Sequence, residues 1–284
     1  MKSRKLCFRS GIIICLFFGI LSHTFGQEIE LLSYNIRYPS PDDGPNLWEY
    51  RKAPMLQALS ALKPDIMGMQ EVVYSQLISL SKGLTDYAYI GVGREDGKTK
   101  GEYSPIFYLK EELKLLDSNT FWLSETPNQI SIGWDAALER ICTYARFLHQ
   151  QSGQEFWVFN THFDHRGIEA RVQSVSLILN QIKKLNKEGL PIFLTGDFNL
   201  TPDQEPIKVL QKAFKDIQQK IDPSAPNYST FTGFDPTTNG KQRIDYIFQN
   251  GFKVIETSHL WLKTKKGLWV SDHHPVYGKF LFTN

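Results

Sequence analysis

The sequence predicts one domain of layered sheet and helix, α+β or layered α/β, on three observations. Short apolar, β-rich runs recur along the chain, and few stretches carry a helical period. No strand-like run leads into the glycine-rich phosphate loop of a doubly wound nucleotide fold. No internal repeat, low-complexity tract or linker-like stretch follows residue 27, so these elements are assigned to a single domain over residues 27–284.

The elements follow in chain order. Lys2, Arg4, Lys5 and Arg9 precede the apolar run Gly11–Leu21, and small and polar residues close the segment at Gly26-Gln27. That arrangement reads as a secretory leader over residues 1–26 cleaved after Gly26, placing the protein outside the cytoplasm, periplasmic or extracellular. The run is short of the roughly 20 apolar residues of a spanning helix, and no transmembrane segment is expected after cleavage. Strands are expected at Ile29–Ile36, Ile66–Met69, Tyr87–Val92, Ser104–Leu109, Cys142–His149, Phe156–Thr161, Ile192–Leu194, Ile244–Phe248 and Val276–Phe282, each bounded by turn residues or charges. Helices are expected at Arg51–Leu62, closed by Lys63-Pro64, and at Ile168–Lys187, where Val172, Val175, Ile178, Ile182 and Leu185 keep a 3.6-residue period and Gly189 supplies a stop. A third, short helix is expected to open at Thr201, with Pro202 at its first position and Gln204 completing a capping box.

Removal of the leader changes the global balance. The 32 Lys+Arg fall by the leader's four to 28 against 30 Asp+Glu, so the formal charge moves from +2 to −2. A chain that holds duplex DNA by non-specific attraction shows a basic excess, which this one lacks. Cys7 and Cys15 leave with the leader, and Cys142 alone cannot form an intramolecular disulfide. A large core must therefore carry the fold, and a monomer is expected.

The polar residues of interest sit at strand ends. Asn35 closes the first strand, Glu71 follows the second, His162 and Asp164 follow Phe156–Thr161, and Asp197 and Asn199 follow Ile192–Leu194. Asp245 opens the Ile244–Phe248 strand, and Asp272-His273 precede the last one. Taken singly, each is as well explained as a turn former or cap. Together, four carboxylates (Glu71, Asp197, Asp245 and Asp272) brought to one cleft would repel by about 4 kcal/mol per pair at ~4 Å in a dielectric near 20. Such a group calls for a divalent cation or protonated partners, and oxygen ligands without cysteine suit Mg²⁺ or Mn²⁺.

The ordered series SYNIR (Asn35), QEV (Glu71), NTHFDH (His162), GDFN (Asp197, Asn199), IDYIF (Asp245) and SDHHPV (Asp272, His273) resembles the endonuclease/exonuclease/phosphatase superfamily over residues 29–282. The resemblance implies a four-layer α/β/β/α sandwich of two mixed β-sheets with the site at one sheet edge. It implies a Mg²⁺-dependent phosphoester hydrolase, with Mn²⁺ as a substitute, in which Glu71, Asn35 and Asp272 hold the metal. Asp197 would orient and deprotonate water, and Asn199 would direct the water or bind a phosphoryl oxygen. His273, steadied by Asp245, would donate a proton, and His162 would stabilise developing charge. Which of Asp197 and His273 is the base stays open, with Asp197 preferred.

Around this core, Arg94 and Glu102 in a glycine-rich loop, Arg140, Trp134 and Asp164 are candidate substrate contacts. A solvated turn, a surface salt bridge or core packing would account equally for several of them. His165, His274 and Lys263–Lys266 are read as bystanders. The substrate is expected to be a phosphorylated small molecule, a nucleotide or a short nucleic acid. A non-catalytic binding relative would need a missing site residue, and none of the six motifs is missing.

Overall fold

The computed structural model describes residues 28–240 and 242–283. The expected leader, residues 1–26, lies outside the described residues.

Strand β1 (Glu28–Asn35) shows how the layers arise. Its side chains alternate between faces, so Ile29 and Leu31 point into one core and Leu32 and Tyr34 into another. Around β1 the first sheet is completed by β2 (Ile66–Gln70), β3 (Tyr87–Ile90), β4 (Ile106–Leu109), β11 (Phe252–His259) and β12 (Val276–Phe282), in the order β11-β12-β1-β2-β4-β3. The second sheet comprises β5 (Leu113–Trp122), β6 (Ile141–His149), β7 (Glu155–His162), β8 (Ile192–Asp197), β9 (Lys215–Asp216) and β10 (Asp245–Asn250), in the order β5-β6-β7-β8-β10-β9.

Each sheet holds one parallel pair at its centre, β1–β2 and β7–β8, flanked by antiparallel neighbours. A parallel pair needs a crossover, and helices α1 (Trp48–Leu62) and α3 (Ile168–Leu185) provide the two. Met55 and Leu59 of α1 cover Leu32 and Met67, with Leu77 and Leu80 of α2 (Tyr74–Gly83) in the same cluster. Val175, Ile178 and Ile182 of α3 and Ile207 and Leu210 of α4 (Glu205–Ala213) cover Trp157, Phe159 and Leu194. Between the sheets, Ile29, Ile66, Phe156, Phe193, Ile247 and Phe280 form a third apolar layer. The result is the expected helix–sheet–sheet–helix sandwich.

Some elements differ from the sequence expectation. The third helix starts at Glu205 rather than at Thr201: residues 201–204 close a turn of their own ahead of it, the Gln204 amide donating to the Thr201 carbonyl at 3.1 Å and Gln204 Oε1 accepting from the Thr201 amide at 2.7 Å. Strands β5 and β11 and helix α2 were not anticipated. The two strands lie at sheet edges with mostly exposed or half-buried side chains, so their sequences lack an apolar alternation. Among the described residues, no helix is long and apolar enough to cross a membrane.

Candidate active site

The topology delivers the motif residues to one place. Asn35, His162 and Asp197 are the last residues of β1, β7 and β8, and Glu71 follows the end of β2. Strand β10 runs antiparallel to β8 and pairs Asp245 directly with Asp197, while β12 runs antiparallel to β1 and is entered from Asp272-His273. All six motifs therefore meet at the same end of the two sheets.

Asn35 is fully buried, and its amide nitrogen donates to Glu71 Oε1 at 3.0 Å and Asp197 Oδ2 at 2.9 Å, tying the first sheet to the second. Its Oδ1 accepts from the Arg37 amide, and the Tyr38 amide donates to Glu71 Oε2 at 3.0 Å. Glu71 has φ +60°, a left-handed conformation costing about 1–3 kcal/mol in a non-glycine residue and kept where surrounding contacts dictate it. Asn199, also left-handed at φ +50°, donates its amide N–H to Asp197 Oδ1 at 2.9 Å and its side-chain nitrogen to His162 Nε2 at 3.1 Å and the Phe163 carbonyl at 3.0 Å. Since that nitrogen can only donate, His162 Nε2 accepts and Nδ1 carries the proton. His273 Nδ1 pairs with Asp245 Oδ2 at 2.8 Å, and its Nε2 lies 3.8 Å from Asp197 Oδ2.

Charge follows burial and neighbours. Burial, then the charge of Asp245, pushes the Asp197 carboxyl up to about 7. Burial also raises Asp272 to about 6, with Glu71 pushing the same way and His273 and Arg37 opposing. For His273 burial disfavours the cation, but the Asp245 partner and the Asp272 and Asp197 charges outweigh it and hold the imidazolium well above its usual range. His162 goes the other way, kept neutral by burial and by Arg140 and Arg94. Two groups offer ligand atoms within 4.8 Å of one another, Glu71–His162–Asp197 and Asp197–Asp245–His273. The carboxylates of Glu71, Asp197 and Asp272 all line one cleft and offer the oxygen donors that suit a hard divalent cation.

The outlying candidates divide. Arg94 forms a bidentate pair with Glu102 at 2.9 and 3.1 Å, and Glu102 Oε2 stands 3.8 Å from His162 Nδ1. Arg140 spans Asp164 (3.3 Å) and His165 Nδ1 (3.0 Å). Arg140 and Glu102 reach the cleft wall. Asp164 is buried and accepts from the Arg166 and Gly167 amides, so it shapes the turn after β7 rather than facing the cleft. Trp134 does not line the cleft; its amide is held by the Glu125 carboxylate at 3.2 Å, and Leu138 of the same loop stands at the wall instead. His274 packs edge-on against Trp269 with ring centroids 4.6 Å apart, and its Nε2–H donates to the Asn239 carbonyl at 2.8 Å.

Other residues escaped the sequence reading. Ser271 Oγ donates to the Asn35 carbonyl at 2.7 Å, and Thr230 Oγ1 accepts from the Ile244 and Asp245 amides. Arg51, buried on α1, donates to the carbonyls of Ile36, Arg37, Asn46 and Val270 and so ties the segment that follows Asn35 to the one that precedes Asp272. An arginine four residues before Met55 on the apolar face of a helix was the available signal. Phe231 packs on His273 with ring centroids 4.9 Å apart and, with Arg37, Tyr38 and Gln242, completes the cleft wall.

The cleft holds about 500 Å³. A larger groove of about 930 Å³ lies between α1 and the Lys263–Trp269 loop, but its lining includes no carboxylate and no histidine, so the chemistry belongs to the smaller space.

Residues 32–273 match the model of the Endonuclease/Exonuclease/phosphatase family. An endonuclease/exonuclease/phosphatase family protein from Bacteroides thetaiotaomicron is 37% identical in a solved structure, with 90% of this chain and 98% of that one covered and a TM-score of 0.84. A mannosyl-6-phosphatase from the same organism is 37% identical, with 89% and 100% covered and a TM-score of 0.83. A probable RNA exonuclease of Saccharomyces cerevisiae is 24% identical over 207 residues, 65% of this chain. The chain spans 40% of that yeast protein's length and 59% of a mimivirus relative's.

Proposed function

The chain belongs to the endonuclease/exonuclease/phosphatase family, and from that premise we propose that it hydrolyses a phosphoester of a small phosphorylated molecule with Mg²⁺ or Mn²⁺. The observation that carries this reading is the convergence of Glu71, Asp197 and Asp272 with His162 and the His273–Asp245 pair at one end of both sheets.

In this reading Glu71 and Asp272 hold the cation, and Asn35 holds Glu71 and Asp197 at a fixed separation through its amide nitrogen. A divalent cation there supplies neutralisation of charge building on the phosphate. Asp197, raised to about 7, is matched to take a proton from water near neutral pH, and Asn199 fixes the carboxylate's orientation. His273, held as the imidazolium by Asp245, donates to the phosphate, which leaves the role of base to Asp197. Neutral His162 lines the other side of the cleft, its Nε2 held by Asn199 and its Nδ1–H directed toward Glu102.

A cleft of about 500 Å³ with Leu138, Phe231 and Ile244 among its walls suits a small ligand. A net charge of −2 after the expected leader is removed opposes tight binding of a long polyanion. The mannosyl-6-phosphatase relative makes a sugar phosphate monoester the first substrate to try. The yeast relative's name keeps a short RNA on the panel. We further propose that the protein acts outside the cytoplasm.

Purified protein is to be assayed on mannose 6-phosphate, a generic diester and short RNA with Mg²⁺, Mn²⁺ or EDTA. Turnover that needs the metal and drops about 10²–10⁴-fold in Asp197→Asn and in His273→Ala is expected. Turnover indifferent to EDTA, or surviving in both variants, refutes the reading.

A further inference from the structure

Beneath the carboxylates, in the layer between the sheets, the apolar packing gives way to a polar knot centred on Asn160. This residue lies on β7 on the same face as Phe156 and Val158, where the alternation calls for another apolar side chain, and it is fully buried. Its nitrogen donates to the carbonyls of Met69 at 2.7 Å and Pro105 at 3.0 Å. Its Oδ1 accepts from Gln70 Nε2 at 2.7 Å and Thr195 Oγ1 at 2.9 Å. An amide can make four such bonds, and all four are made. Gly68 leaves the room for them, since a Cβ there would stand 2.3 Å from Thr195 Oγ1 and 2.8 Å from Asn160 Oδ1.

Three of the four partners lie one or two residues from a site group. Met69 and Gln70 lead into Glu71, Thr195 leads into Asp197, and Asn160 itself leads into His162. An apolar side chain here would fill the layer without the cost of desolvating an amide, so the amide's use is geometric rather than cohesive. It sets the spacing of β2 from β7 and β8 just below the point where Asn35 bridges Glu71 to Asp197.

We propose that Asn160 is a positioning residue, whose four hydrogen bonds fix the gap between Glu71 of the first sheet and Asp197 of the second. The proposal rests on the reading of the cleft as a metal-dependent phosphoester site.

The test compares Asn160→Leu, Thr195→Val and Phe193→Leu, the last loosening the same inter-sheet layer away from the site. Thermal unfolding places each variant, and Mn²⁺ affinity by calorimetry, kcat and KM are measured well below the lowest midpoint. Asn160→Leu is expected to lose about tenfold or more in Mn²⁺ affinity and in kcat, with KM within about threefold, as losses of supporting contacts around metal ligands do. Thr195→Val, which removes one bond of the four, is expected to show a smaller loss of the same kind and decides the matter if Asn160→Leu does not fold. Phe193→Leu is expected to keep both quantities near wild type. Equal losses in Phe193→Leu and the knot variants, or wild-type values in both knot variants, overturn the proposal. If the unaltered protein hydrolyses nothing, the functional reading fails but Mn²⁺ affinity still decides this one. If it binds no Mn²⁺ either, the crystal structure of Asn160→Leu decides, loss of one of the two Asn35 bonds to carboxylate being expected and retention of both refuting it.

Discussion

Asp197 is asked to be a carboxylate in a place that resists one. Folded, its pKa lies at about 7 against 3.8 unfolded, so the fold binds this proton more tightly than the open chain does. The stability this contributes is fully present below the unfolded value and is lost as pH rises through 7. Asp272, raised to about 6, has the same sign. His162, lowered by burial, has the opposite sign, but its contribution is complete once pH passes its ordinary 6.5. In EDTA the unfolding midpoint should therefore fall between pH 6.5 and 8, with a flatter slope in Asp197→Asn. A midpoint that rises across that window in the unaltered protein would show that burial does not hold these carboxyls up. At this scale the sequence was informative where chemistry and strand ends coincide, as at Glu71, Asp197 and His273. It was silent for Ser271, Thr230 and Asn160, whose partners lie tens to hundreds of residues away and whose residue types are ordinary in a turn or strand.

At the scale of elements, α3 shows how a loop beside the cleft is fastened. Gly167 stands at its N-cap and has no side chain to offer, so Asp135, from a loop 34 or 35 residues earlier, accepts from the Glu169 and Ala170 amides at 3.2 and 2.7 Å. Gly167 has to be glycine, because a Cβ would come within 2.6 Å of Asp135 Oδ1. Asp135→Ala should lower the unfolding midpoint by about 2–4 °C, the usual effect of a lost cap in a chain of this size, with fluorescence or calorimetry as the measurement. An unchanged midpoint would mean that water replaces the cap at no cost. The central strands and α1 and α3 were legible because burial on both faces, or on one helical stripe, writes a period into the residues. Edge strands β5 and β11 carry no such period, since most of their side chains are exposed or half-buried, and α4 begins after the expected position, where residues 201–204 close a turn of their own instead.

For the molecule as a whole, the two sheets share one pattern of strand directions, a symmetry with no counterpart in the sequence. They are joined by a layer of aromatic rings, in which Phe193 stacks on Phe252 at 4.0 Å and meets Phe280 edge-on at 4.7 Å. Phe193→Ala should cost about 3–5 kcal/mol in denaturant unfolding and leave a single transition, because both sheets lose the same support. Two separate transitions would instead mean that the sheets are independent units. The order in which the strands are used has its own consequence. The first sheet is begun by β1 to β4 but finished by β11 and β12, after the whole second sheet has been laid down. While the ribosome is still adding those last strands, β1 has a neighbour on only one side and the cleft lacks Asp272 and His273. Completion of the first sheet and completion of the cleft are thus a single event, since the segment that brings Asp272 and His273 leads directly into the strand that closes on β1.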